Sequence, residues 1–113
     1  MCAESPVSPS ASEEAVTDGS AMLVLRGEFD ITSVAFLSAR LEQIREQGPR
    51  RLVIDLAQVA FLDRAAALVL VSAGQWLPPG TRPVLRHPAP IVRRVLGVSG
   101  LASLCEFDLR PGP

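Results

Sequence analysis

The sequence predicts an α/β fold, a single domain in which a mixed, mostly parallel sheet of about four to five strands packs against about three to four helices. Short apolar runs, typical of buried strands, alternate along the chain with amphipathic segments typical of helices. Clusters of Pro and Gly separate the two kinds of segment. The chain has 113 residues, of which 48% are hydrophobic, and this is enough for one domain with its own core.

The first twenty residues differ from the rest in composition and charge. They are rich in Ser, Ala, Pro and Glu and carry a net charge of −4, whereas residues 21–113 carry +3, which together give the net charge of −1. A polar, acidic composition of this kind favours disorder. We therefore expect residues 1–20 to form a disordered acidic tail and residues 21–113 to form the domain.

The domain is predicted to begin with a strand and a helix. Residues 22–25 form an apolar run that Arg26 and Gly27 end, as expected for a short buried strand. Asp30 or Thr32 can cap the helix that follows. The apolar residues of this helix recur at spacings of three and four, as one face of a helix requires: Val34, Leu37, Leu41 and Ile44.

A second strand and a second helix come next. Gly48 and Pro49 end the first helix, and the Leu-Val-Ile core of residues 51–56 predicts a central strand covered on both faces. Residues 57–63 are expected to connect this strand to a helix over residues 64–76. Asp63 is well suited to cap that helix, because its carboxylate accepts a hydrogen bond from a free N–H of the first turn.

Arg64 is then the first residue of the second helix. A cation there faces the positive end of the helix dipole, which costs roughly 0.3–1 kcal/mol at an exposed position. An unfavourable residue of this kind at a helix tip is found at functional sites and also at surface positions that tolerate it.

The remaining elements are a third strand, a third helix and an edge strand. Residues 78–80, Pro-Pro-Gly, break the chain before a strand over residues 82–86. Pro90 suits the first turn of a helix that Gly100 ends. Residues 104–109 are expected to form the edge strand.

The sequence lacks the residue patterns of common catalytic and metal sites. His87 is the single histidine and precedes a proline, and the two cysteines, Cys2 and Cys105, are far apart. The sequence has no lysine and contains neither a phosphate-binding loop nor a dinucleotide-binding glycine pattern. We therefore expect no enzymatic activity, no metal site and no cofactor.

Composition also bears on partners and location. No apolar run approaches the ~20 residues that span a bilayer, and no basic segment followed by an apolar one marks a signal peptide. A body with a charge of +3, no Tyr and one Trp gives little support for nucleic-acid binding. Two widely separated thiols fit reduced cysteines, so we expect a cytoplasmic protein that neither enters a membrane nor binds nucleic acid.

Three groups of residues resemble one family. They are Leu-Arg-Gly-Glu-Phe-Asp at residues 25–30, Leu-Val-Ile-Asp-Leu and Val-Ala-Phe-Leu-Asp within residues 52–63, and Pro-Ile-Val-Arg-Arg-Val-Leu followed by Ser-Gly-Leu within residues 90–101. In this order and spacing they resemble the STAS domain (sulphate transporter and anti-sigma factor antagonist) in its free-standing bacterial form. The resemblance extends over about residues 21–108.

The resemblance implies a regulatory site from which the regulated residue is missing. In that family the Asp matching Asp63 is typically followed by a Ser or Thr, which an anti-sigma factor that is also a kinase phosphorylates. The unphosphorylated antagonist binds this kinase and frees the sigma factor, whereas the phosphorylated one releases it. Here the position is Arg64, followed by Ala65 and Ala66, so the site has no phosphoacceptor. Hydroxyls elsewhere, such as Thr32, are expected to cap helices or face solvent.

The function that the resemblance implies is therefore that of an anti-sigma factor antagonist-like interaction module. Its partner would be an anti-sigma factor and serine kinase of histidine-kinase-like fold, and phosphorylation at residue 64 would not switch their binding. The resemblance is also compatible with a homodimer of this chain. The residues expected to form the partner-binding surface are Glu28, Asp30, Leu62, Asp63, Arg64, Ala65 and Ala66.

Two other functions are weighed against this one. The chain could be a STAS interaction subunit of a transport ATPase or a sensory complex, with no role in a sigma-factor pathway. Nucleotide binding or hydrolysis is a third reading, which the absence of lysine and of a phosphate-binding loop argues against.

Overall fold

Five strands form one mixed sheet in which their spatial order is their order along the chain. The structure is a computed structural model and describes residues 9–110 apart from the side chains of residues 13–17. The strands are β1 (Ser10–Thr17), β2 (Ser20–Phe29), β3 (Arg51–Leu62), β4 (Val84–Arg86) and β5 (Glu106–Asp108). β1 pairs with β2 in antiparallel fashion, and every later pair is parallel. The mixed, mostly parallel sheet confirms the predicted fold class.

Three helices cover one face of this sheet. They are α1 (Val34–Arg45), α2 (Arg64–Val71) and α3 (Pro90–Val98), and α2 contacts both of the others. The core beneath them combines alternate residues of β2 and β3, such as Leu23 and Ile54, with helix residues such as Leu37, Leu70 and Leu96. Within residues 9–110, no helix covers the opposite face of the sheet.

The structure corrects the expectation of a disordered tail over residues 1–20. Residues 10–17 form β1, and Asp18 and Gly19 make a two-residue turn into β2, while residues 1–8 lie outside the described part. Both turn residues have positive φ, 54° and 79°, as a type I′ hairpin turn requires. Ordered structure therefore begins before Ala21. The hairpin adds an edge strand that the acidic composition of residues 1–20 does not predict.

β2 and β3 are also longer than predicted, because β3 contains two bulges. β2 continues through Gly27, whose φ of 101° suits glycine, to Phe29. The pairing shifts by one residue between Val24 and Arg26 and again between Gly27 and Glu28. Each extra residue reverses the inward and outward alternation of β3, so two of them restore it. Residues 57–62, expected as a connection, are therefore part of β3.

Smaller differences concern element ends. The helix expected over residues 64–76 ends at Val71 and continues as a 3-10 turn, Ser72–Gln75. The strand expected over residues 82–86 is Val84–Arg86, and that over residues 104–109 is Glu106–Asp108. None of the helices in the described residues is long and apolar enough to cross a membrane. Residues 9–110 also contain no group of three or more His, Cys, Asp or Glu arranged to hold a metal ion.

We predict that truncating a side chain lowers the free energy of unfolding more on the helix-covered face of the sheet than on the other face. Ile54 is fully buried under the helices, so Ile54→Ala should lower the free energy of unfolding by about 2–5 kcal/mol through lost burial and a cavity. Val24, half-buried on the helix-free face, is the matched control, and Val24→Ala should cost about 1 kcal/mol. Urea unfolding measures both, and equal losses would contradict a one-sided core.

Candidate functional site

The carboxyl ends of β2 and β3 meet at one edge of the sheet and are joined by a hydrogen bond. Phe29 and Leu62 are register partners, and the N–H of Asp63 donates to the carbonyl oxygen of Phe29 at 2.9 Å. Asp30 and Asp63, which directly follow these strands, are thereby brought next to each other. Each of them starts a helical segment.

Asp30 caps the 3-10 turn Ile31–Ser33 that leads into α1. Its carboxylate accepts hydrogen bonds from the backbone N–H of Thr32, at 2.9 Å, and from the Thr32 hydroxyl. The N–H of Asp30 in turn donates to the Ser33 hydroxyl at 3.3 Å. The Thr32 hydroxyl, followed by the Thr32 N–H, lowers the pKa of the Asp30 carboxyl below its usual 3.8. Asp30 is therefore a fixed carboxylate at the surface.

Asp63 caps α2, as the sequence predicts. Its side chain accepts a hydrogen bond from the N–H of Ala66 at 3.0 Å, and its carbonyl oxygen accepts one from the N–H of Ala67 at 2.9 Å. Arg64 is the first residue of α2, and its side chain is exposed. An unfavourable cation thus lies at the positive end of a helix, where solvent screens it.

The structure places the seven predicted site residues at two depths. Leu62 and Ala66 are fully buried, with 0% exposure, so both support the site from below and contribute nothing to its contact surface. The other five reach solvent, three of them as exposed residues and two as half-buried ones: Glu28, Asp30, Arg64, Asp63 and Ala65.

A groove of about 380 Å³ lies beside Arg64. One of its walls consists of residues at the end of β3 and the start of α2: Phe61, Asp63 and Arg64. The other wall belongs to α3 and its C-cap and is mostly apolar: Ile91, Arg94, Val95, Val98 and Ser99.

Sequence reasoning missed the α3 wall of this groove. A detectable signal was present, because α3 carries more apolar residues than one buried face needs. Val92 and Leu96 are fully buried against the core, whereas Ile91 and Val98 point outward. The second apolar stripe thus marks a surface available for contact.

Comparison with known proteins places this geometry in a family. Residues 12–109 match the profile of the family described as Mlab, STAS domain. Among curated protein sequences, none is significantly similar to this chain.

Solved structures share the fold. An anti-sigma factor antagonist from Mycobacterium paratuberculosis is 24% identical, with a TM-score of 0.81 over 96% of this chain and 92% of that one. The anti-sigma factor antagonist SpoIIAA in its unphosphorylated form is also 24% identical, with a TM-score of 0.72 over 87% of each chain. A putative antagonist from Thermotoga maritima is 19% identical, with a TM-score of 0.72 over 83% and 82% of the two chains. At these identities the similarity establishes the fold.

We predict that the Asp63 cap contributes measurably to stability. Asp63→Ala leaves the N–H of Ala66 without its acceptor and should lower the free energy of unfolding by about 0.5–2 kcal/mol. Asp63→Asn keeps a side-chain oxygen at the same place and is the matched control, expected to lose little. Thermal or urea unfolding measures both, and an equal loss in the two variants would contradict the capping role.

The Asp30 carboxyl provides a pH-dependent prediction. Its pKa is lower in the folded protein than in the unfolded chain, so its contribution to stability is present above pH 3.8 and is lost as the pH falls through the folded pKa. Thr32→Val removes the hydroxyl but keeps the N–H, so the pKa of Asp30 should rise toward 3.8. Carboxyl ¹³C NMR titration measures this, and an unchanged pKa would show that the hydroxyl is not the main cause.

Proposed function

Since the chain belongs to the STAS domain family, we propose that it is an anti-sigma factor antagonist-like interaction module whose binding is not switched by phosphorylation at the α2 tip. Its partner is an anti-sigma factor and serine kinase of histidine-kinase-like fold. The observation that carries the proposal is the position of Arg64. It is exposed and is the first residue of a capped helix, at the edge of an apolar groove.

The chemistry of residues 64–66 supports the absence of a switch. A phosphate ester needs a hydroxyl, and Arg64, Ala65 and Ala66 have none. Arg64 instead places a guanidinium, a positively charged group, at this position. Phosphorylation would add about −1.5 to −2 charges to this tip, whereas Arg64 contributes a positive charge to it. Binding is then set by the amounts of protein present and not by a covalent mark here.

The surface around Arg64 suits protein contact. Arginine is enriched among the residues that dominate binding energy, particularly when apolar neighbours exclude water around it. Phe61 and Ile91 supply such neighbours in the groove, and Glu28 and Asp30 extend the surface with negative charge.

The groove also supports a function in binding without catalysis. Its lining contains no His, Cys or Lys that could serve as a base for its one hydroxyl, that of Ser99, and the carboxylate of Asp63 is already engaged by the N–H of Ala66. A general base or nucleophile needs a free side chain within reach of its substrate. We propose accordingly that the chain is not an enzyme and acts in the cytoplasm.

A second function is favoured by the same observation at residue 64. A module that is never released by phosphorylation is equally suited to be a constant subunit of a transporter or sensory complex. In that case the surface around Arg64 would hold a transport ATPase or a sensory protein instead of a kinase.

Affinity capture from lysate of the host distinguishes the two functions. Wild type, Arg64→Ser and Arg64→Glu are immobilised, and captured proteins are identified by mass spectrometry. The lysate is first depleted of ATP, so that Arg64→Ser stays unphosphorylated. The proposal then predicts that wild type and Arg64→Ser retain an anti-sigma kinase and that Arg64→Glu loses it, because the reversed charge opposes docking. Capture of a transport ATPase would support the second function, and capture independent of residue 64 would contradict both.

The purified kinase then tests the absence of the switch. With γ-labelled ATP, wild type should take up no label and remain bound, since its helix tip has no hydroxyl. Arg64→Ser restores the family's phosphoacceptor and should be labelled and released. Labelling of wild type at any residue, accompanied by release, would show that a phosphorylation switch exists elsewhere in the chain.

A further inference from the structure

We propose that the groove between the β3 end and α3 binds an acidic, amphipathic segment of the partner. Apolar side chains of that segment would fill the groove, and its carboxylates would pair with Arg64 and Arg94. This inference rests on the proposed function and adds the chemistry of the partner surface. Four observations lead to it.

The first observation is that α3 is apolar on two faces. Val92 and Leu96 point into the core and are fully buried. Ile91 and Val98 point away from it and are 50% and 82% exposed. A helix that packs only on its own domain needs a single apolar stripe, so the outer stripe is free to bind another molecule.

The second observation is that β3 supplies the facing wall. Because of its two bulges, β3 pairs with the end of β2 through Leu62, two residues later than a strand without bulges would. Phe61 lies on the side of β3 opposite the buried Leu62. Phe61 is 36% exposed, and it lines the groove together with Ile91 and Val95. The groove therefore has an aromatic wall and an aliphatic wall, into which apolar side chains can insert.

The third observation is that the groove's cations are unpaired. Within residues 9–110, the side chains of Arg64 and Arg94 form neither an ion pair nor a hydrogen bond with another residue. They lie on the two walls of the same groove, one on α2 and one on α3. Guanidinium groups bind carboxylates in a planar, two-bonded geometry, so the groove is prepared for acidic side chains.

The fourth observation concerns the one carboxylate in the lining. Asp63 accepts the hydrogen bond of the Ala66 N–H and faces the positive end of α2. Its charge is thus partly compensated by the helix that it caps. Two cations and one engaged anion leave the groove positive, which favours an acidic occupant over a basic one.

Peptide selection tests this inference without the kinase. A displayed library of random 16-residue peptides is selected on the full-length protein and depleted on the Arg64→Glu/Arg94→Glu double variant. We expect the surviving peptides to combine Leu, Ile, Phe or Met with Asp or Glu. Their affinity for Arg94→Glu should fall by about tenfold or more, and it should also weaken as salt is raised.

Arg93→Glu is the matched control. Arg93 is exposed, carries the same charge on the neighbouring position of α3, and does not line the groove. Its reversal should leave peptide affinity within about twofold of wild type, since a rim charge contributes little. Val98→Ser, at an exposed position, should weaken binding without unfolding the chain, and circular dichroism checks that every variant keeps its fold.

Several outcomes would overturn the inference. One is that selected peptides are neutral or basic, and another is that they respond equally to Arg93→Glu and Arg94→Glu. A third is that the chain occupies its own groove, seen as a dimer in sedimentation that Arg94→Glu dissociates. Because kinase capture is not used, acidic peptides would sustain the groove inference even if the proposed antagonist function failed.

Discussion

The site depends on the pairing of two parallel strands and on the bond that ends it. The N–H of Asp63 donates to the carbonyl oxygen of Phe29, one step beyond the Phe29–Leu62 pair. This closes the ladder between β2 and β3 and places two aspartates side by side. Because each aspartate starts a helical segment, the entry to α1 and the start of α2 are fixed by the same pair of strand ends. A shift of one residue in this register would turn the Leu62 side chain to the opposite face.

At residue 64 the fold sets the position of the side chain, and the residue type sets its chemistry. The backbone of a capped helix tip holds the side chain in the open, and the side chain decides what the tip can do. A hydroxyl would make the tip a point of covalent control, whereas the guanidinium makes it a constant positive charge. The neighbouring Ala65 and Ala66 add no reactive group, and the fully buried Ala66 lets α2 pack closely on the core. Under the proposed function, the residue at this single position decides whether the partner interaction of the fold is regulated by phosphorylation.

Sequence reasoning succeeded where a local signal was strong. The apolar spacing of α1, the Asp63 cap and the placement of Arg64 at the first turn of α2 are all features of a few neighbouring residues, and all three are confirmed. It failed where the structure departs from regular alternation. In the bulged half of β3 the buried residues are Leu56, Val59 and Leu62, a spacing of three that does not indicate a strand. The Asp18-Gly19 turn was a usable hairpin signal that the acidic composition outweighed.

The groove could not be derived in the same way, because residues 65–90 separate its two walls in sequence and the walls meet only in the folded chain. Hydrogen exchange of the chain, free and bound to the partner that it captures, tests the account most directly. The account predicts slower exchange on binding at the end of β3, the start of α2 and along α3, with β5 unchanged. Protection confined to β5 or to the turn at Asp18 and Gly19 would contradict it, since the partner would then bind a surface remote from Arg64.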